Sequence, residues 1–288
     1  MKVDFFIVGA PKAGTTSLYY YLSEHPGIEM SSKKETNFFS NHSIQKQSLY
    51  YNSESIDTVD LYHSLFKDNN RVKYGEASVS YLYYNDVPQK IKEYNSEGKI
   101  IIMLRDLADR AFSHYQMDFR LGLVNEKLED IIDNRESNKR SQLFYQQYIE
   151  LSMYYNQVKR YIDTFGRENI HIIFYEDFNS NIELVVKGIY DFLEVDKSFI
   201  PELDRIHNIS FTPRNSFFRM LYSWSAIRKF LRLFIPKKNM NMIKNNFLGS
   251  KINPKLSIKL RQKMNRLFLH DIELLEDLLS KDLSIWKK

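Results

Sequence analysis

The sequence predicts an α/β fold of three layers: a central parallel sheet flanked by helices, with a helical C-terminal extension. Two observations carry this. Short apolar runs alternate along the chain with helical stretches, the pattern of parallel strands joined by crossover helices. The clearest run, Lys99–Leu104, is apolar without alternation, as expected of a strand buried on both faces. The 288 residues are enough for one large domain, and 43% of them are hydrophobic, enough to fill its core. Charged residues make up 27% and are well mixed, which excludes a disordered chain.

Val3 to Gly9 is a short apolar run that stops at Gly9-Ala10-Pro11 and reads as the first strand. After the loop Pro11–Gly14, Thr15 to His25 reads as a helix ended by Pro26-Gly27. Ile28–Ser31 reads as a short second strand. Residues 40–70 are polar and aperiodic and read as surface excursions. Arg71–Gly75 is a third strand candidate, followed by Lys99–Leu104. Asp106 reads as an N-cap, with Asp109 three residues on, for a helix reaching to about Gly122. Residues 141–165 read as one Tyr-rich helix, Ile170–Phe174 as a strand, and 181–194 and 254–280 as helices. Leu267, Leu274, Leu275 and Leu278 mark the apolar face of the last. The stretch after Pro201 is more basic and reads as wholly helical. Residues 206–288 are taken as the extension of a single domain spanning 1–288.

The net charge of +5 suits an anionic ligand or an anionic membrane face and falls short of a nucleic-acid binder. With no cysteine, disulfides, thiolate catalysis and zinc–thiolate sites are excluded. A reducing compartment fits. No secretory leader pattern opens the chain, and nothing approaches the roughly 20 apolar residues of a membrane span. The expectation is a cytoplasmic protein, with peripheral contact at the inner membrane face left open.

Gly9-Ala10-Pro11-Lys12-Ala13-Gly14-Thr15-Thr16 lies between the first strand and the first helix, a position that leaves backbone N–H groups and the positive helix end facing any anion. Gly14 permits close backbone approach, Thr15 and Thr16 offer hydroxyls, and Lys12 a mobile ammonium. The string resembles a Walker A loop, and the fold it implies is P-loop-NTPase-like. It departs from that motif in having Thr15 where the lysine belongs, with Lys12 moved into the loop. No acidic residue closes an apolar strand in the Walker B manner, so the magnesium-holding parts of a kinase or NTPase are poorly represented. The plainer reading is a Gly-rich strand–helix junction. A second anion site is offered by Arg105, at the end of its strand, and Ser113 in the next helix. Its plainer reading has Arg105 paired with Asp106 or Asp109. Adjacent parallel strands, about 4.8 Å apart, could present both sites to one doubly phosphorylated nucleotide.

With these motifs in view, the chain resembles the 3′-phosphoadenosine 5′-phosphosulfate (PAPS)-dependent sulfotransferases. Pro11-Lys12-Ala13-Gly14-Thr15-Thr16-Ser17-Leu18 resembles their 5′-phosphosulfate loop. Leu104-Arg105-Asp106 through Arg110-Ala111-Phe112-Ser113-His114-Tyr115 resembles their 3′-phosphate motif. Lys34-Glu35-Thr36-Asn37-Phe38-Phe39 is similar to a Lys-Glu-x-His-Phe-Phe segment of the heparan-type and bacterial carbohydrate branch. Phe174-Tyr175-Glu176-Asp177-Phe178 and the segment from Asp271 to Trp286 also follow that branch. There are departures: Asn37 stands where that branch has His, Leu107 where it has Pro, and Glu76-Ala77-Ser78-Val79 where it has Glu-Lys-Thr/Ser-Pro.

The resemblance implies transfer of a sulfuryl group from PAPS to a hydroxyl or amine, on a saccharide or lipid-linked glycan, with no metal demanded. Pro11, Lys12, Ala13, Gly14, Thr15, Thr16 and Ser17 would hold the 5′ end, Arg105 and Ser113 the 3′-phosphate, and Lys12 would neutralise the leaving oxygen. Glu35 is the implied base; its plainer reading is a solvated partner of Lys33 or Lys34, and His114 is the rival base. Tyr175 is open between stacking near the adenine and being an edge aromatic of its strand. Glu176-Asp177 reads as a turn and cap rather than a metal site. Arg214 falls where the family has a basic loop over the nucleotide. Residues 217–236 combine aromatic, aliphatic and basic residues at helical spacing, open between an anionic membrane surface and a cover for the nucleotide cleft. The alternatives in other classes are a P-loop kinase and a non-catalytic module that binds anionic glycans.

Overall fold

The computed structural model describes residues 1–49, 51, 55–67, 72–133, 139–203 and 255–288. Strands β1 (Phe5–Gly9), β2 (Ile28–Met30), β3 (Lys73–Ala77), β4 (Lys99–Leu104) and β5 (Ile170–Phe174) form one sheet in the order β2-β3-β1-β4-β5. Each neighbouring pair is parallel. The apolar runs explain this: every residue of β1 is buried, as is all of β4 except Lys99. β1 is followed by α1 (Thr15–Ser23), and the chain then leaves toward β2 on one side. β4 is followed by α5 (Leu107–Arg120), and the chain leaves toward β5 on the other side. The carboxyl ends of β1 and β4 therefore flank the point where strand order reverses, the natural place for a ligand crevice.

The strand expectations hold closely. β4 and β5 match residue for residue, and β3 is displaced two residues from Arg71–Gly75. The displacement has a packing cause. Phe5 lies opposite Gly75 in the register, and a Cβ on Gly75 would come within 2.1 Å of the Phe5 ring and 2.6 Å of Met30 Sδ. Gly75 is thus a mid-strand position covered by an aromatic ring, not a strand end.

Two expectations need correction. The 40–70 region is not a surface excursion throughout. It carries α2 (Asn41–Gln47) and α3 (Val59–His63), with Ile56, Tyr62 and Phe66 buried. Three scattered apolar anchors leave no period to read, because their partners Phe38, Phe39 and Tyr74 lie elsewhere in the chain. The 141–165 helix is in fact α7 (Lys139–Tyr148), a 3₁₀ turn at Glu150–Ser152, and α8 (Tyr154–Phe165). Arg110 of α5 donates to the carbonyls of Gln147 and Tyr148 at 2.8 Å each and to Ser152 Oγ at 2.6 Å, closing the C-terminal end of α7. Asp271 accepts from the N–H of Tyr154 at 2.7 Å and so opens α8. Both caps come from far away in sequence and replace the side-chain caps a helix end ordinarily finds nearby.

The remaining elements are α4 (Val87–Tyr94), α6 (Leu128–Asp133), α9 (Tyr175–Ser180), α10 (Ile182–Leu193) and α11 (Ile258–Leu279). α11 packs on α8 and α5 and carries Asp271. Gly75→Ala is expected to destabilise the fold by about 1–3 kcal/mol through overpacking against Phe5 and Met30. Urea unfolding against the wild type, at unchanged m-value, measures this.

Candidate active site

The first turn of α1 begins at Gly14, whose φ of 96° is left-handed and whose lack of a side chain leaves the helix end without a side-chain cap. A Cβ at Gly14 would lie 3.3 Å from Met103 and from the Tyr175 ring, so the loop is seated against β4 and the residue after β5. Lys12 also holds a left-handed φ, 69°, which a non-glycine residue adopts at a cost of about 1–3 kcal/mol. Its ammonium lies 3.6 Å from Met117 Sδ on α5. Burial, with Arg120 nearby, pulls its pKa down to about 8.

Arg105 follows β4 directly. One guanidinium nitrogen donates to the Lys12 carbonyl at 3.2 Å, and the guanidinium stands 4.7 Å from the centre of the Tyr175 ring. The two strand-to-helix junctions are therefore tied to each other, not merely adjacent. Asp109 lies 4.0 Å from Arg105, but its carboxylate is paired directly with Arg261 of α11. Arg261 also reaches Asp106 at 3.2 Å. Asp106 caps α5 as expected, accepting from Asp109 N–H at 2.7 Å.

A cleft of about 1330 Å³ opens over these ends. It is lined by Pro11, Lys12, Gly14, Thr15, Thr16, Ser17, Glu35, Arg105, Ser113 and Tyr175. Of the expected nucleotide residues in the described region, Ala13 does not line it: its side chain is fully buried beneath the loop. Arg214 and segment 217–236 lie outside the described residues. Tyr175 directly follows the edge strand β5, and its ring carries the Arg105 guanidinium. Glu176 accepts from Asp106 N–H at 3.3 Å and from Trp286 Nε1 at 3.2 Å, a capping role in keeping with the sequence reading.

Glu35 faces the same cleft. One carboxylate oxygen is paired with Lys34, and the other accepts from the Val79 N–H at 2.8 Å. Its φ of 64° is left-handed, and that of Asn37 is 53°. His114, the rival base, is engaged at both ring nitrogens. Nδ1 lies 3.3 Å from the Arg110 guanidinium, and Nε2 is 2.8 Å from the Tyr51 hydroxyl, which donates to Asp118 at 2.5 Å. A guanidinium can only donate, so Nδ1 accepts and Nε2–H donates to Tyr51. Burial and the Arg110 charge push the imidazole pKa well below its usual range. His114, which also lines the cleft, is held neutral with its Nδ1 lone pair turned to Arg110.

Several lining residues escaped the sequence reading: Arg120, Met117, Gln146, Gln147, Tyr83 and Arg261. For some a signal existed. Asp109, Ser113, Gln116 and Arg120 recur at helical spacing, so one face of α5 carries the site. Arg261 had no such signal, since α11 reaches the site only through tertiary packing.

The sulfotransferase domain family model matches residues 2–268. The chain belongs to that family. A solved sulfotransferase from Alicyclobacillus acidocaldarius superposes over the whole of both chains, with a TM-score of 0.75 and 29% identity. The membrane-associated sulfotransferase kil1 of Dictyostelium discoideum is 23% identical over 67% of this chain and 56% of its own length. The bifunctional heparan sulfate N-deacetylase/N-sulfotransferase 1 of Caenorhabditis briggsae is 22% identical over 74% of this chain and 24% of its own length. The chain thus spans about half or less of these curated relatives. The three-layer fold inferred from sequence is the sulfotransferase fold.

In this sulfotransferase-family site, Lys12 supplies a titration that can be followed. An anion beside Lys12 favours the ammonium and raises its pKa above the free value of about 8. Affinity for adenosine 3′,5′-bisphosphate is therefore expected to change little near pH 7 and to begin falling as the pH approaches 8. Above pH 8 it falls, as the free protein loses the proton that the complex keeps. Calorimetric titration between pH 7 and 9.5 measures this, and Lys12→Met is expected to abolish the slope.

Proposed function

We propose that this chain transfers a sulfuryl group from PAPS to a hydroxyl or amine of a saccharide or glycoconjugate. One observation carries the reading. Two anion-ready junctions, at the ends of neighbouring strands β1 and β4, open into a single cleft and are joined by the Arg105–Lys12 hydrogen bond. A nucleotide carrying a phosphosulfate at one end and a phosphate at the other fits that pair. Family membership supports the same reading.

Bound there, PAPS supplies an activated sulfuryl group whose transfer leaves adenosine 3′,5′-bisphosphate. The α1 amides, Thr15, Thr16 and Ser17 hold the 5′ end, with Pro11 shaping the loop. Arg105 and Ser113 hold the 3′-phosphate, and Tyr175 stiffens the guanidinium by stacking beneath it. Lys12 neutralises charge growing on the bridging oxygen as the sulfur–oxygen bond breaks. Glu35 takes the acceptor proton as the new sulfur–oxygen or sulfur–nitrogen bond forms. Such transfer rests on positioning and on charge stabilisation, which the chain's own residues provide. Tyr83, Tyr84, Asn37, Gln146 and Gln147 line the cleft as well, and aromatic faces with amides are surfaces suited to sugar rings and hydroxyls. The heparan sulfate relative supports a saccharide acceptor.

Among the described residues, no helix is long and apolar enough to cross a membrane. For residues 217–236 the basic, aromatic sequence supports peripheral contact with an anionic surface. The description of the Dictyostelium relative as membrane-associated points the same way.

Arg105→Ala is expected to weaken the bisphosphate by about 1.5–3 kcal/mol, the worth of a charged hydrogen-bond pair, and adenosine 5′-phosphosulfate by clearly less, since that ligand loses only the support Arg105 gives the Lys12 loop. Equal loss for both ligands would remove Arg105 from the 3′-phosphate. Lys12→Ala should lower kcat far more than it weakens nucleotide binding, and Glu35→Gln should lower kcat by about 10²–10⁴-fold. Turnover of labelled PAPS with a saccharide panel reads both, and it also tests the saccharide class.

A further inference from the structure

We propose that Glu76, inside β3 and outside the cleft, is a positioning residue that fixes the turn carrying Glu35. The proposal rests on the reading of Glu35 as the base and goes one residue deeper. Glu76 is fully buried, and its partners are hydroxyls rather than a cation. Ser78 Oγ donates to Oε1 at 2.6 Å, Thr36 Oγ1 donates to the same oxygen, and the Tyr62 hydroxyl donates to Oε2 at 2.7 Å. A buried carboxylate without a counter-ion is costly unless its hydrogen bonds are complete, so this cluster is expected to be stiff.

The hydroxyls that bind Glu76 also hold the turn. Thr36 stands between Glu35 and Asn37, both left-handed, so its anchoring keeps two unfavourable backbone conformations in place. Thr36 Oγ1 accepts from the Phe38 N–H at 3.3 Å, and Ser78 Oγ accepts from the Asn37 N–H at 2.9 Å. The Tyr81 hydroxyl, 3.2 Å from Thr36 Oγ1, accepts from the Phe39 N–H at 3.3 Å. At the other end, Glu35 N–H donates to the Ala77 carbonyl at 2.9 Å, and Val79 N–H donates to the Glu35 carboxylate. The turn is thus laced to residues 76–81, with the Glu76 carboxylate at the centre. A hydroxyl acting as acceptor to a backbone N–H must point its own proton elsewhere. Glu76 is where the protons of Thr36 and Ser78 point. In Glu76→Gln one of the two acceptor positions becomes an amide donor, which opposes either the Tyr62 hydroxyl or the Thr36 and Ser78 hydroxyls, and deleting a hydroxyl removes a rotor outright. Either way the Glu35 turn loses part of its anchoring while the nucleotide junctions at β1 and β4 keep theirs.

The test measures kcat with PAPS and Kd for adenosine 3′,5′-bisphosphate in Glu76→Gln, Thr36→Val and Thr36→Ser, with the folded fraction at assay temperature taken from circular dichroism. Expected are a kcat loss of roughly 10- to 100-fold per folded molecule in Glu76→Gln and Thr36→Val, the scale of a modest misplacement. Kd is expected to stay within about twofold, and Thr36→Ser to recover the activity. In a Glu35→Gln background, Glu76→Gln should lower kcat no further. If Glu76→Gln does not fold, Ser78→Ala is read in its place. The proposal fails if kcat per folded molecule is unchanged, if Kd weakens in step with kcat, or if the loss persists in full without Glu35. Loss in Glu35→Gln alone overturns the Glu76 proposal and leaves the base intact. Full activity in Glu35→Gln overturns the base reading itself, and with it a Glu76 acting through that base.

Discussion

The hydrogen bond from Arg105 to the Lys12 carbonyl is the contact on which the site depends. β1 and β4 are neighbours, so their carboxyl ends are bound to be close. Closeness alone does not make one site of two loops. The guanidinium does, by holding the phosphate loop with one nitrogen while its face rests on Tyr175. The planar fork of arginine makes this possible; a lysine could not hold a carbonyl, stack on a ring and still present donors to a ligand. The loop geometry follows. Lys12, left-handed and half-buried, is kept where burial and neighbouring cations lower its proton affinity. That is the state of a group that will take up negative charge readily.

Charge around the Arg105 junction is balanced by the C-terminal helix. Asp106 is needed as the cap of α5, and Asp109 supplies the N–H that the cap accepts. The Asp109 carboxylate lines the cleft and that of Asp106 is buried; unpaired, both would disfavour an anion bound there. Arg261 pairs with both. Burial raises the proton affinity of Asp106, and Arg261 works against that. The helix α11 is therefore part of the site rather than an appendage to it.

A second long-range device shapes the other half of the cleft. Arg110 is fully buried and spends its donors on the end of α7, on Ser152 and on His114. One side chain thereby ends a helix, turns the chain toward α8, and holds His114 neutral. The same break carries Gln146 and Gln147 to the cleft wall. Strain and buried polarity gather in this part of the molecule. Lys12, Glu35 and Asn37 all hold left-handed backbone, and Glu76, Arg110 and His114 are buried polar groups beside it. Folding alone would be easier without them, which is the usual mark of residues retained for chemistry.

What the sequence by itself determined is the set of features carried by neighbouring residues. The strands β1 and β4 are legible because a doubly buried strand must be apolar throughout, and the edge strand β5 because only His171 interrupts its apolar run. The phosphate loop and the Asp106 cap are legible because their donors and acceptors lie within a few residues. The tertiary structure alone decided the rest. The break between α7 and α8 depends on Arg110 and Asp271, and the pairing of Arg261 with Asp106 and Asp109 spans some 150 residues. The anchoring of the Glu35 turn reaches across 40 residues to Glu76. Local pattern reports the period and the nearest partner. A buried charge or a hydroxyl chooses its partner only when the chain has brought the two together.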